Sequence, residues 1–321
     1  MKYLGKITEK ESRSFDRNLN GFMKKYNAAI NIISSRTKCL PKCLESLWIH
    51  YNQYYDYDVF VYYFDNIYDD FTLRKNITRL TKQNVEFISV PYKTPAFLDE
   101  KELYYNRNEV EYVKTSFPVS RKGYLHMCNF TSNMWDYKNT TCKNYDFLIT
   151  HDDESGYIKK LDFNPIDLLK NDDSFFGAYS FSKRLKNGNP HQGHFDTRIG
   201  LYEFCKYFIS KYNVIPKSKS MLLALNSDNP SYNFHFLEWA DTYVIDTRLF
   251  KSKNWKNWIN EINASGGIYK YRWGDNEVYS LYCHIFLNNP INLNIVVDGY
   301  HDQGLFRDLC DIAPGVKDNF K

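Results

Sequence analysis

Three acids in a row, Asp152-Asp153-Glu154, follow the apolar run Phe147-Leu148-Ile149 within the stretch NYDFLITHDDESGY, residues 144–157. Adjacent carboxylates repel one another, so such a cluster asks for a cation. Hard carboxylate oxygens suit Mg²⁺ or Mn²⁺. An ion of that kind leaves room for substrate phosphates and stabilises the charge of a departing diphosphate. Solvated acidic turns are also common, and Asn171-Asp172-Asp173-Ser174 reads as one of those.

A second stretch, SGGIYKYRWGDNEVYSLYCHIFL at residues 265–287, carries another candidate set. Gly266-Gly267 ends a preceding helix. Arg272-Trp273-Gly274-Asp275 then packs a cation, a large ring, a hinge and an acid into consecutive positions before a helix-like run. As a plain helix start, Asp275 caps, Trp273 packs and Arg272 pairs with a surface acid. As a site, Asp275 accepts hydrogen bonds from sugar hydroxyls, and Arg272 partners a phosphate or a catalytic carboxylate.

Positioning these groups falls to strands that alternate with helices. Ala28–Ile33, Val59–Phe64, Val85–Val90, Phe147–Ile149, Phe175–Tyr179, Tyr243–Ile245 and Leu293–Val297 read as strands. Helices are expected after Pro41, around Pro165–Leu169 and over Ser252–Ile262. The alternation predicts an α/β fold with a mixed, mostly parallel twisted sheet flanked by helices. Ligands of such sheets bind at the carboxyl ends of the strands, where both Ser34-Ser35-Arg36-Thr37 and Asp152-Asp153-Glu154 fall. Residues 1–26 read as a lead-in and 27–321 as one domain, with 93–123 a lid or an insertion.

Composition bounds the partners. A net charge of +4 with no Lys/Arg block argues against nucleic acid. The 28 tyrosines and 23 phenylalanines are spread along the chain, which fits a compositional bias better than one carbohydrate-binding surface. The seven cysteines form no C-x-x-C pair and suit small buried positions in a reducing compartment. No apolar run reaches the about 18 residues a membrane span needs. The polar start carries no signal peptide, so the expected location is a cytoplasm or a viral factory.

The segment GGIYKYRWGDNEVYSLYCHIFL resembles one in the fungal α-1,2-mannosyltransferases of glycosyltransferase family 15. Other stretches follow in the same order. Tyr124-Leu125-His126-Met127-Cys128-Asn129-Phe130-Thr131-Ser132 is similar to the family's Tyr-x-x-Met-Cys-Arg-Phe-x-Ser. Tyr145 through Glu154 resembles its strand ending in Glu-Pro-Asp, with Asp152 and Glu154 on the two acids. Phe236-Leu237-Glu238-Trp239-Ala240-Asp241 resembles its Asn-Phe-Glu-Ile-Ala-Asp, and residues 27–36 resemble its first strand with the nucleotide-side arginine.

The resemblance implies a GT-A fold and a Mn²⁺-dependent retaining transfer of mannose from GDP-mannose. It places Asp152 and Glu154 on the metal, Asp153 toward the ribose or behind the ligands, and Arg36 and Tyr124 on the donor. Glu238 stands at the anomeric carbon, with Arg272 and Asp275 beside it. Two family residues are replaced: an arginine by Asn129, and a histidine assigned to the metal by Tyr279. His301 is the preferred substitute ligand, with His284 or water as the alternatives. The acceptor is a glycan, a glycoprotein or another hydroxyl compound. The alternatives are a nucleotidyl or phosphoryl transferase using the same acids, and a degenerate transferase that binds glycan or nucleotide sugar without turnover. No G-x-x-x-x-G-K-[ST] loop supports the former.

Overall fold

The computed structural model describes residues 26–301 except 36, 65, 80, 92–93, 104–121, 172–174, 185–198, 227–241 and 288–295. Expectations resting on Arg36, Glu238, Asp172, the lead-in and most of 93–123 lie outside the described residues.

Eight strands form one sheet in the order β3-β2-β1-β4-β7-β6-β8-β5. They are β1 (Ala28–Ser34), β2 (Asp58–Tyr63), β3 (Val85–Ser89), β4 (Phe147–Asp152), β5 (Ser155–Tyr157), β6 (Phe176–Arg184), β7 (Thr242–Asp246) and β8 (Val296–His301). The helices are α1 (Leu40–His50), α2 (Phe71–Thr78), α3 (Lys122–Asn133), α4 (Pro165–Asn171), α5 (Leu201–Tyr212), α6 (Lys219–Leu225), α7 (Lys253–Ser265) and α8 (Asp275–Phe286), with short turns of helix at Arg248–Lys251 and Gly267–Tyr271.

Strands β1, β2, β3 and β4 run parallel. Beyond β4 the sheet is mixed: β7 is antiparallel to β4 and β6, and β8 is parallel to β6 but antiparallel to β5. The period of two in each strand divides the core. Ile30, Ile32, Val59, Val61 and Ile149 pack with Leu44 and Leu47 of α1 and Ile166 of α4. Their neighbours Ala29, Ile33, Phe60, Tyr62 and Leu148 face α3, α5, α7 and α8 through Phe130, Phe208, Trp258 and Val278. Each of the Val, Ile, Leu and Phe side chains among these, removed from water, contributes about 1.5–3 kcal/mol. Many of the aromatic residues are spent here: Tyr51, Tyr57, Tyr62, Tyr68, Tyr179 and Tyr279 are all enclosed.

The strand order changes direction between β1 and β4. A chain that lays β2 and β3 on one side of β1 and β4 on the other opens a crevice at their carboxyl ends. Ser34 and Asp152 end those two strands, in a register that pairs Ile33 with Asp152. The β4 strand runs three residues beyond Ile149, so Asp152 belongs to the strand and only Asp153-Glu154 form the turn into β5.

Candidate active site

The acidic triplet splits into three environments because β4 ends within it. Asp152 leaves the strand end with its side chain 48% exposed, and its Oδ2 lies 3.8 Å from Nδ1 of His301. Asp153 is turned inward at 2% exposure. Its Oδ2 accepts hydrogen bonds from Ser34 Oγ at 2.7 Å and from the Ser35 backbone N–H at 3.0 Å, tying β4 to β1 across the crevice. Glu154 is also enclosed. Under the turn, the buried Cys43 Sγ of α1 contacts the Asp152 carbonyl at 3.6 Å.

His301 reaches this place because β8 pairs with β5 and brings it opposite Ser155. Ser155 Oγ holds His301 Nδ1 at 2.7 Å, which fixes the ring beside Asp152. The same Nδ1 makes the 3.8 Å approach to Asp152, so a metal held by this ring would be taken by Nε2, the ligating imidazole being oriented through its other nitrogen. Tyr279 stands elsewhere. Its hydroxyl donates to the Thr131 carbonyl at 3.0 Å, and its ring stacks between Phe176 and Trp255. It is a packing residue of α8.

The stretch from Gly266 to Asp275 folds as a chain of close fits. Gly266 ends α7 with a φ of 68°, a left-handed conformation that suits glycine. A Cβ on Gly267 would overlap the ring of Trp273. That ring is fixed by Phe204 at 5.1 Å and by donation from its Nε1 to the Ile199 carbonyl at 2.6 Å. Arg272 takes a left-handed φ of 60°, unusual for a residue with a side chain. Its guanidinium lies 4.6 Å from the centre of the Tyr124 ring on α3. At Gly274, which caps α8, the Glu277 carboxylate occupies the space a Cβ would take, and the Tyr124 hydroxyl lies 3.5 Å from that point.

Asp275 therefore opens α8 as its first helical residue and does not cap it. Its Oδ1 contacts Cys128 Sγ of α3 at 3.9 Å. Burial pushes its pKa up to about 7, with the charges of Asp152 and Glu277 adding to the shift. Burial first, and Cys128 and the nearby acids after it, also keeps the Tyr124 phenol protonated, against the opposing pull of Arg272.

The structure thus brings together Tyr124, Asp152, Arg272, Asp275 and His301 around the β4 edge, and sets Asp153 behind it. It does not unite the expected metal trio. Among the described residues no three His, Cys, Asp or Glu side chains converge on one point: Asp152 ends β4 half exposed, whereas Glu154 lies within the turn and is enclosed. Asn129 is engaged with the Tyr137 hydroxyl at 3.1 Å. Sequence reasoning missed Ser155 and Tyr243: serine beside an acid cluster carries no signal alone, and a tyrosine inside an apolar strand reads as core.

The family model for glycolipid 2-alpha-mannosyltransferase matches residues 5–307. The O-glycoside alpha-1,2-mannosyltransferase omh1 of Schizosaccharomyces pombe is 22% identical over 252 residues, covering 77% of this chain and 61% of that protein. Alpha-1,2 mannosyltransferase KTR1 of Saccharomyces cerevisiae is 22% identical over 255 residues, covering 78% and 61%. The chain thus spans about six-tenths of the length of these relatives. Core-mannan synthase A of Aspergillus fumigatus, solved in a Mn/GDP form, superposes with a TM-score of 0.64 at 17% identity over 84% of this chain and 73% of its own. The mannosyltransferase Ktr4p of S. cerevisiae in complex with GDP gives 0.64 at 16% identity, covering 83% and 68%. The fold is accordingly the GT-A glycosyltransferase fold. With a family match running over nearly its whole length, the chain belongs to the glycolipid 2-alpha-mannosyltransferase family.

Proposed function

We propose that the protein is a metal-dependent, retaining glycosyltransferase that moves mannose from GDP-mannose to a hydroxyl of a glycan or glycoprotein. The observation that carries this reading is the approach of Asp152 Oδ2 to the His301 ring, 3.8 Å from Nδ1, beside the paired carboxyl ends of β1 and β4. Family membership and the GDP of the two solved relatives support the donor.

One carboxylate and one imidazole fit Mn²⁺ or Mg²⁺ as an open site that leaves positions for phosphate oxygens and water. Asp152 and His301 hold the ion in this reading. Glu154, an enclosed carboxylate in the turn that follows, is the third ligand the family resemblance implies. The ion, when bound, supplies the positive charge that stabilises a departing diphosphate. Asp153, anchored to Ser34 and Ser35, keeps the two strand ends at a fixed spacing. Arg36 and Tyr124 bind the nucleotide and phosphates. Asp275 accepts from hydroxyls of the transferred sugar, and Arg272 offsets negative charge on phosphate. Glu238, four residues before β7 in sequence, stands at the anomeric carbon as nucleophile or as stabiliser of an oxocarbenium-like state.

Calorimetric titration of GDP with and without Mn²⁺ tests the reading. GDP is expected to bind at least tenfold tighter with Mn²⁺, and His301→Ala and Asp152→Asn are expected to remove that difference. Equal affinity in EDTA overturns the metal assignment. By thermal shift, GDP is expected to stabilise the fold more than UDP, and the reverse order overturns the donor.

A further inference from the structure

Tyr243 is the second residue of β7, at the sheet edge that carries Asp152 on β4, since Tyr243 pairs with Thr150 in the antiparallel register. Its side chain faces α8. The ring lies 5.8 Å from Tyr279, one helical turn beyond Asp275, and 5.4 Å from Phe176. Side chains spaced four apart share a helix face, so Asp275 and Tyr279 present the same side of α8 to this strand. The residue is 6% exposed. Among the described residues its hydroxyl is enclosed and has no hydrogen-bond partner. A buried phenol usually finds one, and leaving it without one costs about 1–3 kcal/mol. Phe would fill the same apolar slot between Phe176 and Tyr279 without that cost, so the oxygen needs a reason.

The surroundings supply it. After burial, the charges that act on the hydroxyl are those of Asp275, Asp152 and Glu277, with a smaller effect from Tyr124. Burial and these acids keep the phenol protonated. It is therefore a donor, placed in a neighbourhood of acceptors.

We propose that Tyr243 is a positioning residue whose hydroxyl donates to the Asp275 carboxylate once the donor substrate is bound, aiming the other carboxylate oxygen at a hydroxyl of the transferred sugar. This rests on the reading of Asp275 as a sugar-binding acid. A carboxylate held through one oxygen presents the second in a fixed direction, which favours a sugar hydroxyl over the nucleotide common to donor and product.

Tyr243→Phe separates the possibilities by comparing GDP-mannose with GDP, both titrated in Mn²⁺. The variant is expected to lose about tenfold in affinity for GDP-mannose, equivalent to about 1.4 kcal/mol, and to keep its affinity for GDP. Its melting temperature is expected not to fall, because only an unpaired buried hydroxyl is removed. In an Asp275→Asn background the same change is expected to have no further effect on GDP-mannose. Equal losses for both ligands, no loss for either, or full additivity with Asp275→Asn overturns the proposal. Asp275→Asn that leaves the preference for the sugar-bearing ligand intact overturns the reading of the site itself.

Discussion

Glu238 carries the sharpest expectation at the scale of single residues. A carboxylate beside the anomeric carbon interacts most strongly as positive charge develops there, so its loss depresses turnover more than affinity. Glu238→Gln is expected to lower kcat by on the order of a hundredfold or more while leaving donor Kd within a few-fold. Glu261 on α7 serves as the comparison for turnover but not for stability. Its carboxylate accepts from Lys211 at 2.7 Å, Tyr212 at 2.8 Å and Tyr207 at 3.3 Å. The hydrogen bond from Lys211, with those from the tyrosines, holds its pKa below the ordinary value. Its stabilising contribution is therefore present above the usual glutamate range and lost as pH falls from there through the lowered folded value. Glu261→Gln is expected to leave kcat unchanged and to lower the melting temperature slightly. A Glu238→Gln protein with normal kcat would remove this residue from the chemistry.

At the scale of elements, the run from Gly266 to Glu277 places the site's acid and cation, and its glycines do so by having no side chain. Gly267 leaves the space that the Trp273 ring fills. That ring is rigid and pinned at both Phe204 and Ile199, so it has little freedom to give way. Gly267→Ala is expected to destabilise the fold by about 1–3 kcal/mol and to disturb Trp273. Because Arg272 and Asp275 follow from the same turn, donor affinity is expected to fall in parallel. Denaturant unfolding and GDP titration on one preparation check both. A variant of wild-type stability would show that Trp273 can repack, and that the turn is less tightly specified than its geometry indicates.

The whole molecule answers to pH through groups outside the site as well as through Asp275 and His151 within or beside it. His284 near the end of α8 is held by burial at a pKa of about 4. Its Nδ1 lies 2.9 Å from Ser218 Oγ, which also accepts from Met221 N–H at the start of α6. Burial disfavours the imidazolium there, so the fold holds the ring neutral. The unfolded chain takes up a proton near pH 6.5, whereas the fold does so only near pH 4. Stability is therefore expected to fall as pH drops through that window, by at most about 3 kcal/mol from this residue. His284→Gln is expected to flatten the slope of unfolding free energy between pH 6.5 and 4. An unchanged slope would place the acid sensitivity in other groups. The six described cysteines are buried and none is in a disulfide, so they add no covalent tie to this balance. Among the described residues no helix is long and apolar enough to cross a membrane.

The sequence by itself determined the α/β class, the approximate strands and the candidates for the site. Periodicity and turn chemistry are local, so Ile30 and Ile32 declare a strand without knowing their neighbours. The Arg-Trp-Gly-Asp run and the acidic triplet were legible as chemistry because like charges and bulky rings rarely crowd together without cause. Only the tertiary structure decided which of these residues meet. Strand pairing between β5 and β8 carries His301 146 positions along the chain to Ser155, and no local pattern encodes that register. The same is true of the triplet. Carboxylates adjacent in sequence look equivalent, yet the end of β4 leaves Asp152 half exposed, buries Asp153 against Ser34 and encloses Glu154. A strand end fixes the direction of each successive side chain, and direction is what distinguishes a ligand from a tether.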